Sequence, residues 1–525
     1  MTDQHKGFER LARLGGAAIL LTLAFGVAAT PVAARTHTSA TPKAGGSYSV
    51  WLTGAPDCLD PQLTALAASA QVDNYVFDPL LSINPKGQFT GDLATNWSAS
   101  KTQTTETFKL RNNAHFSNGD PVTAADVKFT FDRALNPATK SPETAGLLAA
   151  VKDVRVTGKY TVALDLKAPS RPLLTNLANV STGILDPKAV AAEGSNTCNK
   201  PVGTGPYEIK STGTAFGDIT LVPNKHRSFA PRWFMNQGPP YVKTVQFVTI
   251  TSEDTAISEL LQGTIGIANI PPDQHSRVKG NKKIVLHNLP AQSEAGVEFN
   301  TKSAPFNTLA ARQAVAEIIN RPAIVKAALL GLGQSIYGPL PPGIPLYDKA
   351  AGKYLPKYSV NNAAKLVQKY HLTGPYNFVV PNLEFLPTMA EQIQAAAAQA
   401  GMTLNIQTVD QGTWVSDLET GSFQLTLLAY GYNDPEVLYL LFDSTGGEDF
   451  TGYNDPSLDN LLASGNTTLN TRKAQQIYYQ AQIDINKAVI FAGGVGPTDI
   501  LGVRTNLKGF HLAQGTWAPS DIYIG

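Results

Sequence analysis

The chain has 525 residues, 43% of them hydrophobic and only 16% charged, with a net charge of +1 and two cysteines. That length exceeds what one core supports and suits roughly two to four domains. A balanced charge with no basic block argues against a nucleic-acid partner, and a charged fraction below the usual value of about 25% suits an exported surface rich in Thr, Ser, Asn and Gln.

Lys6, Arg10 and Arg13 form a basic start, diluted by Asp3 and Glu9, ahead of an apolar run over residues 15–29. Pro31 breaks the run, and Val32-Ala33-Ala34 fits the small-residue cleavage rule. Residues 1–34 therefore read as a signal peptide, with an uncleaved anchor as the alternative. The run is short against the about 20 residues that a membrane span needs. Residues 35–46 are a linker rich in Thr, Ser, Ala and Pro.

Tyr48, Val50 and Leu52 alternate and open the first strand. Pro56-Asp57-Cys58-Leu59-Asp60-Pro61 is a stiff loop, because its two prolines fix φ. A helix is predicted over residues 65–81. Phe108 and Leu110 alternate with polar neighbours, the mark of a half-buried strand, and Ser117-Asn118-Gly119-Asp120 is a turn. Thr123 is an N-cap with Asp126 three residues on, ahead of Val127, Phe129, Phe131 and Ala134. A hairpin is predicted around Gly158-Lys159. Pro201-Val202-Gly203-Thr204-Gly205-Pro206-Tyr207 makes a rigid, bent crossover. Pro206 and the strand-like Tyr207-Glu208-Ile209 argue against a phosphate loop, which needs a helix directly after its glycines.

A strand at 245–249 and a helix at 254–261, ended by Gly263, lead to a larger α/β region from about Leu289. Its helices are predicted within 307–330, at 361–370, and at 389–400 with Gly401 as the C′ residue. Its strands fall at 377–380, 404–408 and 423–428. Strands alternating with helices predict a mostly parallel sheet. Residues 449–489 read as mainly helical and 506–524 as strand and loop.

In an exported protein the pair Cys58 and Cys198 is most simply a disulfide, two buried free thiols being the alternative. No His-Glu-x-x-His, Gly-x-Ser-x-Gly or Walker loop occurs, and the eight histidines are scattered. No catalytic residue, cofactor or metal ligand is predicted.

Several strings, in this order, resemble the bacterial family 5 extracellular solute-binding proteins, the peptide- and nickel-binding subunits of ATP-driven importers. The loop 56–61 resembles their early P-x-x-L-D-P segment, and 93–126 their central signature. Residues 201–207 match P-[VI]-G-T-G-P-[YF] letter for letter. Arg312-Gln313-Ala314-Val315 continuing to Asn320-Arg321, the block 453–462, and Asn506-Leu507-Lys508-Gly509-Phe510 are similar to three later segments. The resemblance implies an α/β, two-lobed periplasmic-binding-protein type II-like fold with an extra domain (cluster C). Lobe I would comprise 47–77, 200–288 and 502–525, the extra domain 78–199, and lobe II 289–501. A Cys58–Cys198 bond would then tie the first segment of lobe I to the point where the chain re-enters it. The implied function is capture of a small peptide-like solute outside the cytoplasmic membrane, by a monomer, for the permease of an ABC importer. The alternative is a binding or sensor module of the same fold, for a sugar, opine or metal chelate, or uncoupled from transport.

In peptide-binding members an Asp within G-W-x-x-D-x-x-[DE]-P pairs with the ligand ammonium. Aligned on Asp434-Pro435, that position here is Gly431. Dipeptide binders also use an arginine of the second lobe for the ligand carboxylate, and this chain has none between Ala323 and Thr471. An unpaired charge enclosed in a dry cleft is costly, so a longer, blocked or uncharged ligand fits better than a free dipeptide. Candidate ligand contacts are Tyr430 and Tyr432, at the strand end where open α/β sheets place ligands, with Gly431, Trp414, Trp51 and Asp434. For Tyr and Trp the alternative is half-buried packing. Asp434 is equally placed to cap a helix starting near Pro435.

Overall fold

Strand Ser47–Leu52 is buried along both faces after its first residue, although its alternation predicts burial on one. Its neighbours explain this. It lies inside a seven-stranded sheet, parallel to Thr244–Thr249 on one side and to Ile267–Asn269 on the other, and a parallel strand is covered on both faces. The computed structural model describes residues 42–525 apart from Pro290, Glu384, Gln514 and Gly515. The predicted signal peptide and residues 35–41 of the linker lie outside the described residues.

Antiparallel strands complete this first sheet: Ile284–Asn288 and Ile500–Arg504 at one end, Asp218–Pro223 and Tyr207–Ser211 at the other. A second, six-stranded sheet runs Gly333–Ser335, Phe491–Pro497, Ser293–Phe299, Leu425–Gly431, Tyr376–Pro381, Leu404–Val409. It is parallel only at the two ladders of Tyr376–Pro381. Both sheets are thus mixed, which corrects the expectation of a mostly parallel one. The reason lies in the connections. Hairpins and direct runs between sheets join many of the strands, and an antiparallel return needs no crossover helix.

The two sheets form two lobes, each with its own apolar cluster. The chain passes between them twice, from Ile284–Asn288 into Ser293–Phe299 and from Phe491–Pro497 into Ile500–Arg504. The Leu289 N–H donates to the Asp499 carbonyl at 2.9 Å, joining the two passages. The first sheet takes the chain back at Ile500, two residues before the position expected from the resemblance.

Residues 78–199 contain a third sheet, ordered Ala94–Ala99, Thr105–Leu110, Thr161–Leu166, Val151–Gly158, all antiparallel, with a separate core. Strand Thr105–Leu110 alternates in burial as its sequence predicts. Helix Ala124–Leu135 carries the predicted capping box, with the Thr123 N–H bonded to Asp126 Oδ2 at 2.7 Å.

The seam between this insert and the first lobe is polar and buried. Arg227 donates to the Asp78 carboxylate and, at 2.7 Å, to the Thr204 carbonyl, while the Thr204 hydroxyl reaches Asp78 at 2.7 Å. Helix Ala67–Val76 stops short of the predicted Leu81, because Asp78 precedes Pro79 and is pushed out of helical backbone. The crossover 201–207 lies against that helix end: the Gly205 N–H donates to the Val76 carbonyl at 2.8 Å. A β-carbon at Gly203 would collide with that same carbonyl. Cys58 and Cys198 are bonded, with Cα atoms 4.4 Å apart, and the Leu59 N–H donates to the Cys198 carbonyl at 3.0 Å.

This bond spans 140 residues, a closure worth roughly 5 kcal/mol in the chain-entropy account. The double variant Cys58→Ala/Cys198→Ala is expected to keep its circular-dichroism spectrum and to lose up to about that much stability in urea. An unchanged urea midpoint would show that the seam holds without the bond.

Candidate ligand-binding cleft

Between the lobes and the insert lies a cavity of about 650 Å³. The first-lobe side supplies Phe77, Trp233, Phe234 and Trp517; the insert supplies Ser82, Phe89, Glu143, Asn176 and Asn179; the second lobe supplies Gly431, Tyr432, Asp434, Glu436 and Glu448.

The second-lobe wall follows from the pleat of strand Leu425–Gly431. Alternate side chains point to opposite faces of a strand. Tyr430 turns into the lobe, where it is 8% exposed, donates its hydroxyl to the Pro339 carbonyl at 2.6 Å and packs against Phe491. Gly431, the last strand residue, faces the cavity. Tyr432 follows it, and its hydroxyl donates to both Glu448 oxygens at 2.8 and 2.9 Å.

Asp434 bridges rather than caps, since the N-cap of helix Val437–Phe442 is Glu436. Asp434 Oδ1 accepts the Glu436 N–H at 2.9 Å, next to that helix. The same carboxylate forms an ion pair with Arg171 of the insert and accepts the Thr175 hydroxyl at 3.2 Å. Arg171 makes two further contacts with the second lobe. Its N–H donates to the Asn466 carbonyl at 2.7 Å, and its guanidinium lies 5.2 Å from the Tyr478 ring centre. The carboxylate singled out in the sequence is therefore engaged by a protein cation across the cleft.

The structure brings Gly431, Tyr432 and Asp434 together on the wall and leaves Tyr430, Trp414 and Trp51 off it. Trp51 lies on the doubly covered central strand, 3% exposed, its indole N–H bonded to the Ile250 carbonyl at 2.8 Å. Trp414 sits on helix Gln411–Thr420, which follows the outermost strand of its sheet, and its indole N–H bonds to the Thr426 hydroxyl at 2.9 Å. In both cases packing in the lobe interior outweighs exposure to the cleft. Trp233, Trp517, Glu143, Glu436 and Glu448 are the wall residues that sequence reasoning missed. The available signal was Trp233, in a stretch without predicted regular structure, where an aromatic ring has less core to fill.

The wall is acidic. Burial raises Glu436 to about 7, helped by the charge of Asp434 and opposed by Arg171 and the Asn176 side chain. Burial also pushes the Tyr432 phenol upward, then Glu448 beside it, so this hydroxyl stays protonated and donates. Glu143 accepts the Ser181 hydroxyl at 2.9 Å and the Asn179 amide at 3.3 Å.

Removing one partner of a pair largely withdrawn from water strands the other. Arg171→Ala is expected to destabilise by on the order of 3 kcal/mol and to widen the ligand-free molecule in small-angle X-ray scattering. Arg171→Met combined with Asp434→Asn should recover part of that loss; strictly additive losses would show that the two residues do not act as a pair.

Residues 88–450 match the family of bacterial extracellular solute-binding proteins, family 5 Middle. The probable D,D-dipeptide-binding periplasmic protein DdpA of Escherichia coli K12 is 26% identical over 449 residues, covering 81% of this chain and 84% of that one. The ABC transporter substrate binding protein CtaP of Listeria monocytogenes superposes with a TM-score of 0.80 at 21% identity, covering 92% of this chain and all of that one (100%). AgaA of A.tumefacien R10, solved with agropinic acid, superposes with a TM-score of 0.76 at 23% identity, covering 91% and 99%. These likenesses extend over both lobes and the insert, and the chain belongs to the bacterial extracellular solute-binding proteins of family 5.

Proposed function

We propose that this protein captures a peptide-like solute between its lobes, outside the cytoplasmic membrane, and delivers it unaltered, as a monomer, to the permease of an ABC importer. One observation carries the reading: a single cavity of about 650 Å³ takes its walls from both lobes and the insert. Contacts from opposing walls form together only in the closed state, so a solute bound there shifts the population toward closure. The volume lies in the range of small-molecule sites, about 300–1,000 Å³. DdpA, named for a D,D-dipeptide, supports a peptide-like ligand.

The wall also bears on which peptides fit. Gly431 lines the cavity, and the resemblance aligns it with the ammonium-binding carboxylate of peptide binders. In the second lobe Arg312 and Arg321 are buried and spend their guanidinium groups on backbone carbonyls. Neither is available to a ligand carboxylate, and the lobe's other arginine, Arg472, does not line the cavity, which supports a longer or blocked peptide over a free dipeptide.

Native mass spectrometry of the protein purified from its own host is expected to show a bound small solute, and thermal-shift screening of peptide pools to identify its class. Ligand at 100 times Kd adds about 2.7 kcal/mol of stability. Peptides longer than two residues, or blocked at an end, should raise the melting temperature. Pools of every length that leave it unmoved while sugars or opines raise it would overturn the peptide assignment.

A further inference from the structure

We propose that the cleft selects an organic cation, an ammonium- or guanidinium-bearing solute that brings no carboxylate into the cavity, through Glu143, Glu436 and Glu448 grouped around Tyr432. This rests on the solute-binding reading and specifies the charge of its ligand. A basic peptide with a blocked C-terminus and a polyamine share this chemistry.

The argument is a charge balance along the wall. Asp78 is bonded to Arg227, which is 4% exposed. Asp92 lies beside Arg227 and Arg111. Asp434 is held by Arg171. Glu143, Glu436 and Glu448 remain, and among the described residues none of the three forms an ion pair with a lysine, arginine or histidine. Their fields converge on the Tyr432 hydroxyl, which each of them disfavours from ionising. Arg227, spent on Asp78, is the one cation among the described lining residues. An anionic ligand would thus meet three acidic side chains without an ion pair, Glu436 among them only part-ionised, and no free cation among the described lining residues. A cationic ligand supplies the charge that the wall lacks.

The opposite wall suits the same ligand. The Trp233 indole N–H is taken by the Ser82 hydroxyl at 2.8 Å, and that of Trp517 by the Tyr75 hydroxyl at 2.8 Å. Both indoles line the cavity with their N–H groups already spent, which leaves them only their rings to offer a ligand, and aromatic rings attract cations.

A sign for the pH dependence follows. Glu436 faces Asp434, Arg171, Asn176 and Tyr478, and it is part-protonated near neutrality. A bound cation favours its carboxylate form, so binding expels a proton and tightens as pH rises through about 7.

The test is isothermal titration of the full exported protein with four probes: spermidine, Lys-Ala-Lys amide, the same peptide as free acid, and its fully acetylated amide. Spermidine, the peptide amide or both should bind, which also separates polyamine from peptide. Acetylation should weaken binding at least about tenfold, the loss of one charge-assisted contact, and the free acid should bind more weakly than the amide. Affinity should rise from about pH 6 to about pH 8 with proton release. Glu436→Gln should remove most of that rise, and Glu448→Gln should weaken both cations while the melting temperature confirms folding. Should Glu436→Gln not fold, Glu143→Gln gives the corresponding loss of affinity. Equal binding of amide and acetylated amide overturns the proposal. So does binding of neutral or acidic peptides by a protein that ignores both cations, in which case solute capture stands. Silence toward every probe and every peptide pool overturns both readings.

Discussion

The Arg171–Asp434 pair holds the cleft in shape. A salt bridge in open water contributes little, but these two side chains lie mostly out of solvent and bind across two parts of the molecule. Behind Asp434, helix Val437–Phe442 anchors the same loop by burying Val437, Leu438, Leu441 and Phe442 in the second lobe. The loop carrying Tyr432 and Glu436 is thus fixed by apolar packing on one side and by charge on the other. The Asp434 carboxylate, already engaged by arginine, has no charge left over for a solute.

The wall divides its labour by lobe. The first lobe contributes ring surfaces whose polar atoms are satisfied within the protein, so they offer shape and polarisable area. The insert and the second lobe contribute the acids. Rigidity of the aromatic side comes from the seam, where Asp78, Thr204 and Arg227 form a closed hydrogen-bonded set and the guanidinium groups of Arg111 and Arg227 both lie over the Phe229 ring. Such a set is costly to open because any one member leaves the others buried without partners.

Local chemistry was legible in the sequence, and long-range charge pairing was not. The Thr123–Asp126 box, the Gly263 stop and the strand 105–110 depend on neighbours a few residues away, and all three form. The strand predicted at 423–428 runs on to Gly431, and its end brings Tyr432 and Asp434 to the cavity wall. Trp51 and Tyr430 misled because period-two alternation cannot show which face a second layer covers. Asp434 and Arg171 are separated by 263 positions, and nothing local in the string reveals that one neutralises the other. The acids at 143, 436 and 448 converge only once three separate segments have packed.

The two passages between the lobes run side by side and share a backbone hydrogen bond at Leu289 and Asp499. Movement of one lobe against the other has to pass through these two adjacent stretches. Whatever fills the cavity between the lobes therefore also limits how far these two short stretches can bend.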